Sequence, residues 1–398
     1  MATVRPFCAL RPHPDFVQEV ASVPYDVINS AEARELAEGK PHSFLRVIRP
    51  EVDLPNDVDE HDEQVYGRGA ENLASFAQSE AFLEEEEPSL YVYRLVMNGR
   101  TQTGIYGLVS VEEYNNGVIL KHEKTRPDKE DDRTRHILEQ SAHAEPVMLA
   151  YRGTDEIDRA VVATTETAPL YDFQASDYVR HTIWKVDDSD AVSKAFSDVS
   201  QLYVADGHHR CAAAGRAASE LPDNEEAQYF MAVLFPTEDM EILPYNRVVK
   251  KLPVGKGRFL DQLEHRFEVE ETYFAEPEEP GIIGVYLGDG WYRLRLPETE
   301  QEGVAATLDV ARLGEHLLEP MLGITDPRTD QNIAFVGGIR GTSELERLVD
   351  SGEADLAISM YPTSPEELLD VSDAGELMPP KSTWFEPKLR SGLLVHRF

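Results

Sequence analysis

Cysteine is scarce in this chain of 398 residues, which contains only Cys8 and Cys211. Two cysteines so far apart fit neither a disulfide framework nor a C-x-x-C metal or redox pair, so we expect a reducing compartment. Long hydrophobic runs are also missing, and the proline-rich stretch from Met1 to Pro14 does not resemble a signal peptide. The sequence therefore predicts a cytoplasmic protein that stays off the membrane.

Basic residues are also few in this chain. Acidic residues outnumber basic ones by 74 to 38, which gives a net charge of −36, and only 11 of the bases are Lys while 27 are Arg. Such a surface repels phosphate backbones, so we expect no nucleic-acid partner. An acidic, Lys-poor surface also suits a high-salt cytoplasm, which predicts a halophilic protein, with an ordinary acidic protein as the alternative.

The length exceeds what one hydrophobic core usually supports, and 41% hydrophobic content is adequate for more than one. A new strand-and-turn pattern begins after Leu252-Pro253. We therefore predict an N-terminal and central α/β region, residues 1–252, followed by a C-terminal α/β region, residues 253–398.

Short β-rich runs alternate with helical patterns, which predicts a mixed α/β (α+β) fold. The predicted strands include 90–97, 104–111, 201–205 and 229–235, and the predicted helices include 31–37 and 309–318. Asn29 followed by Glu32 is typical of a capping box, and Gly39 is a plausible helix stop. This places Tyr25 and Asp26 on the loop that enters the first helix, where we consider them weak candidates for substrate binding.

The strongest local signal is D-G-H-H-R, Asp206 to Arg210, between an apolar strand and an Ala-rich helix. A helix start carries unpaired N–H donors and partial positive charge, so it attracts phosphate. Gly207 allows close approach of a ligand, and His208, His209 and Arg210 add side-chain donors. The alternative is structural: Asp206 serves as an N-cap and the histidines are solvated.

A second basic segment runs from Lys121 to His136. Pro127 suits a first helical position, followed by acids in the first turn. Lys129, Arg133 and His136 then share one helix face. The candidate phosphate ligands of this segment are His122, Lys124, Arg126, Lys129 and Arg133, and the alternative is a solvated, salt-bridged helix.

A third basic segment follows Met378. Residues 379–398 carry four bases against the single acid Glu386, which gives this tail a net charge of +3 in a chain of −36. Lys381, Ser382 and Thr383 are its candidate phosphate ligands. The alternative is a C-terminal strand whose bases pair with the acidic body.

Weaker candidates for substrate binding are Asn246 and Arg247 in a Y-N-R string. Adjacent histidines at a helix start point in different directions, so we predict no dedicated transition-metal site at His208 and His209. Mg²⁺ arriving with a nucleotide, and met by Asp206 or Glu123, is the more plausible metal.

Six strings resemble, in order along the whole chain, a family catalogued as domain of unknown function 1015. They are R-P-F-x-A-L at 5–10, V-P-Y-D-V-I at 23–28, H-E-K-T-R at 122–126, A-D-G-H-H-R at 205–210, Y-N-R at 245–247 and P-P-K-S-T-W-F-E-P-K-L at 379–389.

The D-G-H-H-R turn also resembles the motif of the ParB and sulfiredoxin superfamily, which includes free-serine kinases. In that superfamily a Gly-x-x-Arg loop at a helix start holds nucleotide phosphates, which implies a ParB-like core around this strand, turn and helix. His208 occupies the position of the sulfiredoxin catalytic Cys, so sulfinate reduction is not expected. The charge of −36 and the missing helix-turn-helix argue against ParB-type DNA binding.

The kinase-like branch implies a phosphotransferase that uses ATP or ADP with Mg²⁺ and acts on a small anionic metabolite, with serine or phosphoserine as the substrate class. The candidate catalytic residues are Asp206, Glu123 and His208, and Asp26 is a further candidate for the base. A non-catalytic nucleotide-binding regulator and a phosphatase of a phosphorylated metabolite remain alternatives. We also predict that Arg210, Lys124 and Lys381 surround one anion, because an acidic body must gather bases to bind an anionic ligand.

Overall fold

The alternation of short strands and helices produces a mixed α/β fold, as the sequence predicts. The structure is a computed structural model that describes all residues, Met1–Phe398. Its strands, in chain order, are β1 (Val4–Arg5), β2 (Leu10–Pro12), β3 (Phe82–Glu84), β4 (Tyr91–Met97), β5 (Arg100–Ser110), β6 (Ile119–Leu120), β7 (Ala142–His143), β8 (Val147–Tyr151), β9 (Tyr171–Gln174), β10 (Arg180–Lys185), β11 (Leu202–Asp206), β12 (Tyr229–Pro236), β13 (Glu241–Leu243), β14 (Tyr245–Val249), β15 (Glu268–Thr272), β16 (Ile282–Tyr286), β17 (Trp291–Arg295), β18 (Ile333–Gly337), β19 (Leu356–Met360), β20 (Trp384–Glu386) and β21 (His396–Arg397).

The α-helices alternate with these strands along most of the chain. In chain order they are α1 (Val17–Val20), α2 (Ser30–Ala37), α3 (Leu45–Ile48), α4 (Glu63–Ala77), α5 (Val111–Asn115), α6 (Pro127–Gln140), α7 (Asp155–Thr165), α8 (Ser189–Phe196), α9 (His208–Glu220), α10 (Lys256–Arg266), α11 (Asp309–Leu313), α12 (Glu319–Leu322), α13 (Gly341–Asp350) and α14 (Pro365–Asp373). Short 3₁₀ helices cover Pro14–Phe16, Tyr25–Val27, Pro50–Asp53, Glu226–Gln228, Thr237–Asp239, Ala305–Thr307 and Gly338–Arg340. A π-helical segment covers Gly314–Leu318.

The chain divides into two units. Unit 1 comprises Met1–Lys121, Thr125–Met240 and Pro387–Phe398, and unit 2 comprises His122–Lys124 and Glu241–Glu386. The boundary expected after residue 252 falls inside unit 2, because β14 pairs with β18 and β19 of that unit.

Unit 1 is built on a nine-stranded mixed sheet with the order β6-β11-β8-β12-β5-β4-β10-β9, in which β1 also pairs with β5. Most pairs are antiparallel, but β8 pairs in parallel with β12, and β6 with β11. All five residues of β8 are buried, which explains why this strand is a continuous apolar run rather than an alternating one. Alternate strand residues on one face of the sheet form the main core with side chains of α7, α8 and α9, and a second cluster lies under the N-terminal helices.

Unit 2 contains a six-stranded sheet with the order β15-β17-β16-β19-β14-β18, and a separate ladder of β13 and β20. Every pairing in the six-stranded sheet is antiparallel. β19 lies inside the sheet and all of its residues are buried, whereas the edge strand β15 has none that is buried. The exposed side chains of β15 are mostly Glu, which protects a sheet edge from pairing with another chain.

Local sequence signals place several elements correctly. The capping box of Asn29 and Glu32 begins α2, and Pro127 occupies the first turn of α6, as predicted. The helix expected over 309–318 starts at Asp309 but passes through the π-helical segment and continues to Leu322. No helix of this structure combines the length and the apolar character needed to cross a bilayer.

Candidate functional site

The D-G-H-H-R segment forms the turn between β11 and α9 in unit 1. The pairing of β11 with β8 shifts register between Val204 and Asp206, so the strand becomes irregular just before the turn. Gly207 then adopts φ 101°, a left-handed conformation that favours glycine. A Cβ at this position would lie 3.0 Å from Arg210 Nε and 3.1 Å from Val147 Cγ1, so the turn also needs glycine for space.

Helix α9 begins at Gly207, which occupies the N-cap position and has no side chain. The structural alternative, in which Asp206 is the N-cap residue, is therefore wrong. Asp206 instead faces two cations, with its Oδ2 3.2 Å from Arg210 Nη2 and 3.7 Å from Lys388 Nζ. The first turn of an uncapped helix attracts anions through its backbone donors and its partial positive charge.

Arg210 is buried beneath this turn, with 7% of its surface exposed. Its Nη1 donates to the carbonyl oxygen of Pro146 and its Nη2 to Asp206, while its Nε has no hydrogen-bond partner. Burial acts to lower the pKa of Arg210, but the carboxylates of Asp26, Asp206 and Glu145 raise it above its ordinary value. Arg210 is therefore a permanent cation held under the helix start.

Glu145 connects Arg210 to other parts of unit 1. Its side chain is 8% exposed, and its Oε2 lies 3.7 Å from Arg133 Nη1. Its Oε1 accepts hydrogen bonds from the Tyr25 backbone N–H at 3.2 Å and from the Ser391 hydroxyl at 3.3 Å. Burial raises the pKa of Glu145, against the effect of Arg210 and Arg133. Sequence reasoning missed this residue, because a single acid before Pro146 carries no motif.

Arg133 and Tyr25 are buried together. The Arg133 guanidinium carbon lies 4.0 Å from the centroid of the Tyr25 ring, and Arg133 Nη2 lies 2.6 Å from Asp132 Oδ2. Burial, followed by the nearby charge of Asp26, raises the pKa of the Tyr25 hydroxyl above its usual range. Asp26 itself is exposed. The predicted residues Tyr25, Asp26, Arg133 and Arg210 thus belong to one charged cluster in unit 1.

The starts of α6 and α9 meet. The backbone N–H of Arg126, the N-cap residue of α6, donates to Nε2 of His209 at 3.1 Å. The Arg126 side chain pairs with Asp128 at 2.6 Å and is exposed, and Lys129 is half-buried in the same helical turn. His208 is buried with 6% exposure. Two helix starts in one place concentrate backbone donors near the D-G-H-H-R turn.

The other predicted residues lie in unit 2, where the second and third basic segments come together. His122 is buried, its carbonyl oxygen accepts from the Met378 N–H at 2.7 Å, and its Nε2 lies 3.5 Å from Thr383 Oγ1. The Ser382 hydroxyl donates to the carbonyl oxygen of Pro379 at 2.6 Å, which closes the turn before it. Glu123 also belongs to unit 2.

Arg247 and Asn246 lie on β14 of unit 2 and are both buried. Asn246 Oδ1 accepts from the Met360 N–H at 2.9 Å, so this side chain supports the sheet. Arg247 lines a groove that also includes Lys124. Lys381 is exposed, and its Nζ lies 5.5 Å from the Tyr245 ring centroid. The expectation that Lys124, Lys381 and Arg210 surround a single anion stays a prediction.

Lys388 was part of the third basic segment but was not among its predicted ligands. It lies in unit 1, and its Nζ faces Asp206 beside the α9 start. The P-K-L string that contains Lys388 is the sequence feature that could have identified it as a candidate phosphate ligand. For metals, the structure contains no group of three or more His, Cys, Asp or Glu side chains arranged to hold an ion.

These features define the class: a two-unit mixed α/β protein with a glycine-started, uncapped helix among buried ionised side chains. The chain belongs to the family described as Protein of unknown function (DUF1015), which matches residues 4–311. The family resemblance of the sequence motifs is thereby confirmed. No curated protein matches the chain.

Several solved structures are similar to this chain at low identity. A free serine kinase in complex with AMP is 14% identical, with 73% of this chain and 91% of that chain covered and a TM-score of 0.39. A free serine kinase variant in complex with ADP is also 14% identical, with 73% and 92% covered and a TM-score of 0.39. SbnI from Staphylococcus aureus, with a C-terminal truncation, is 16% identical, with 73% and 87% covered and a TM-score of 0.39.

Proposed function

We propose that unit 1 binds a nucleotide through its phosphates at the Asp206–Arg210 turn and transfers a phosphoryl group to a small hydroxyl metabolite. The observation that carries this proposal is the uncapped start of α9 at Gly207, with the buried cation Arg210 beneath it and Lys388 beside it. The N-terminus of a helix that begins at a glycine and has cations beside it binds phosphate oxygens well.

Each side chain of the cluster has a role in this proposal. The close approach of ligand to backbone requires Gly207, and Lys388 supplies a positive charge for the phosphates. Arg210 and Asp206 hold each other and act as positioning residues. Asp26 is exposed and acts electrostatically on Arg210, so we assign it as the base that accepts the hydroxyl proton.

The proposed nucleotide is ATP or ADP. A nucleotide commonly brings Mg²⁺, which takes one or two carboxylates together with phosphate oxygens and therefore needs no three-residue protein cluster. Asp206, the carboxylate of the turn that acts on Arg210, is the residue that would meet it. The ion would neutralise charge on the phosphates. Free serine or phosphoserine is the substrate class that the family resemblance implies.

Calorimetric titration with ATP and ADP tests the binding, and formation of ADP from ATP, or of AMP from ADP, in the presence of hydroxyl metabolites, free serine included, tests the transfer. Lys388→Met should weaken nucleotide binding by about tenfold or more, because charge-assisted hydrogen bonds to phosphate contribute about 1.5–3 kcal/mol each. The matched control is Lys185→Met, since Lys185 in the same unit is paired with Glu85 at 2.6 Å. Asp26→Asn should slow ADP formation while nucleotide affinity changes little.

The outcomes separate the candidate functions. No detectable nucleotide binding by the wild-type protein would contradict the proposal as a whole. Binding without formation of ADP from ATP, or of AMP from ADP, with any hydroxyl metabolite would leave the non-catalytic regulator. Release of inorganic phosphate from phosphoserine without a nucleotide would identify a phosphatase instead.

A further inference from the structure

A groove in unit 2 contains a buried cation that has no acidic partner. The cationic residues that line the groove are Arg247, Lys124 and Arg328. Its apolar lining includes Val310, Leu318, Phe335, Met378 and Pro379. Arg247 has 3% of its surface exposed and sits in the middle of β14, between β18 and β19 of the sheet.

Arg247 makes hydrogen bonds only to carbonyl oxygens of the main chain. Its Nη1 donates to Tyr245 O, and its Nη2 donates to Lys381 O at 3.1 Å. Since a guanidinium carries five N–H donors, three of them have no protein acceptor. The Phe335 ring lies under the guanidinium, 5.7 Å from its central carbon to the ring centroid. No carboxylate neutralises this charge.

A second buried arginine in unit 2 shows the usual arrangement. Arg312 is 7% exposed, and its Nη1 lies 3.3 Å from Asp309 Oδ1 while its Nη2 lies 3.4 Å from Glu298 Oε1. Its Nε donates to the carbonyl oxygen of Pro297 at 2.9 Å. Both arginines are therefore equally buried, but only Arg312 has acidic partners.

Burial without a counter-charge destabilises the charged form of Arg247. Burial lowers the pKa of Arg247 to about 10, although it remains positively charged at neutral pH. An ionised group removed from water costs free energy unless it is paired and hydrogen-bonded. A side chain retained at such a cost in a structural role would have an acidic partner, as Arg312 has.

Two of the three acidic residues that line the groove already have other partners. Asp326 holds Arg328 in a two-point ion pair at 2.9 and 3.0 Å, and Arg328 first, with Lys124 to a smaller extent, lowers the pKa of Asp326. Glu376 Oε2 accepts from the Ala305 N–H at 2.8 Å. Arg247 and Lys124 are consequently the two cations of the groove that a bound anion can neutralise.

We infer that this groove is a binding site for a small organic carboxylate with an apolar body, whose carboxylate pairs with Arg247 and Lys124. The planar guanidinium matches the geometry of a carboxylate, and the apolar lining accommodates the rest of the ligand. The acids Glu302, Asp326 and Glu376 also line the groove, so a singly charged carboxylate is repelled less than a doubly charged phosphate. This site rests on unit 2 alone and does not depend on the proposed function of unit 1.

Benzoate is a suitable probe, because it combines a carboxylate with an apolar ring. We expect saturable benzoate binding to the full chain by ligand-observed NMR, and at least a tenfold loss of affinity in Arg247→Met. Benzamide, which is neutral and of the same shape, and phenyl phosphate should both bind at least tenfold more weakly than benzoate.

Melting temperatures decide whether Arg247 has a binding role or a structural one. Arg247→Met should keep or raise the melting temperature, since it removes a buried charge that has no acidic partner, whereas the control Arg312→Met should lower it by leaving Asp309 without its cationic partner. A drop in Arg247→Met as large as that in Arg312→Met would overturn the inference. Equal binding of benzamide, or tighter binding of phenyl phosphate, would do the same.

Discussion

Arg210 and His209 support the proposed phosphate site in different ways, which two substitutions can separate. His209→Ala removes a ring that lies at the meeting point of α6 and α9, and Arg210→Ala removes the buried cation under the turn. Both should weaken ATP binding by about tenfold or more, because Arg210→Ala removes the positive charge under the turn and the partner that positions Asp206, and His209→Ala removes a polar contact to phosphate. Calorimetric titration of the two variants measures the effect.

The same two variants should differ in stability. Arg210→Ala leaves Asp206 and Glu145 without their shared cation, so its melting temperature should fall clearly. His209→Ala loses one hydrogen bond to a backbone N–H and should unfold close to the wild type. Unchanged ATP affinity in both variants would remove the D-G-H-H-R turn from the proposed site.

His143 makes the stability of unit 1 sensitive to acid. It is 5% exposed, its ring stacks on His396 at 6.1 Å between centroids, and its Nε2 is buried without a partner. Burial, and next the neighbouring His396, lowers the pKa of His143 from 6.5 to about 3. As the pH falls, His143 is protonated near pH 6.5 in the unfolded chain but only near pH 3 in the folded protein. Proton binding therefore favours the unfolded chain between these two values, and the protein loses stability as the pH falls through this range.

Because of His143, the free energy of unfolding should be about 2 kcal/mol lower at pH 5 than at pH 7. Urea denaturation of His143→Phe across this range should show a shallower pH dependence than the wild type. His13→Gln is the control, because His13 is a partly exposed histidine of the same unit. Parallel pH profiles for His143→Phe and the wild type would contradict the expectation.

At the scale of elements, the β11–α9 connection depends on one glycine. Gly207→Ala places a Cβ 3.0 Å from Arg210 Nε in a left-handed conformation that L residues rarely adopt. We expect a loss of roughly 1–3 kcal/mol in unfolding free energy, together with weaker ATP binding, because the turn must rearrange. Denaturant unfolding and calorimetric titration give the two quantities.

Gly67 provides the matched control. It lies inside α4, and nothing is within 4 Å of the position its Cβ would take. Gly67→Ala should be neutral or stabilise the protein by about 0.5–1 kcal/mol, as expected inside a helix. If Gly207→Ala behaved like Gly67→Ala, the strained turn would not be a requirement of the fold.

Elements with local signals were the predictable part of the structure. The capping box at Asn29, the proline at the start of α6 and the Asp-Gly turn before α9 each depend on residues within one or two turns. The role of Glu145 was not predictable, since it depends on Tyr25, Arg133 and Ser391 meeting it from distant parts of the sequence. The return of residues 387–398 to unit 1 was not predictable for the same reason, since it depends on pairing with distant segments such as β7.

For the whole molecule, the net charge of −36 predicts a dependence on salt. When salt is lowered toward tens of millimolar, carboxylate repulsion is less screened, and the melting temperature should fall. Thermal melts in a KCl series measure this, and sucrose at matched osmolarity is the control because it does not screen charge. A melting temperature that is indifferent to KCl would remove the halophilic interpretation.

The sequence of unit 2 is inserted into the sequence of unit 1, which fixes an order of events during synthesis. Ser391 bridges to Ser22, Val395 to Leu10, and β21 to β7, so several early residues find a pairing partner in the segment after residue 386. A ribosome must therefore release that segment before unit 1 can close, whereas every strand of unit 2 has already been translated. Until then unit 1 would remain incomplete. Glu145, which accepts a hydrogen bond from the Tyr25 backbone N–H, would lack its second hydrogen bond, which comes from the Ser391 hydroxyl.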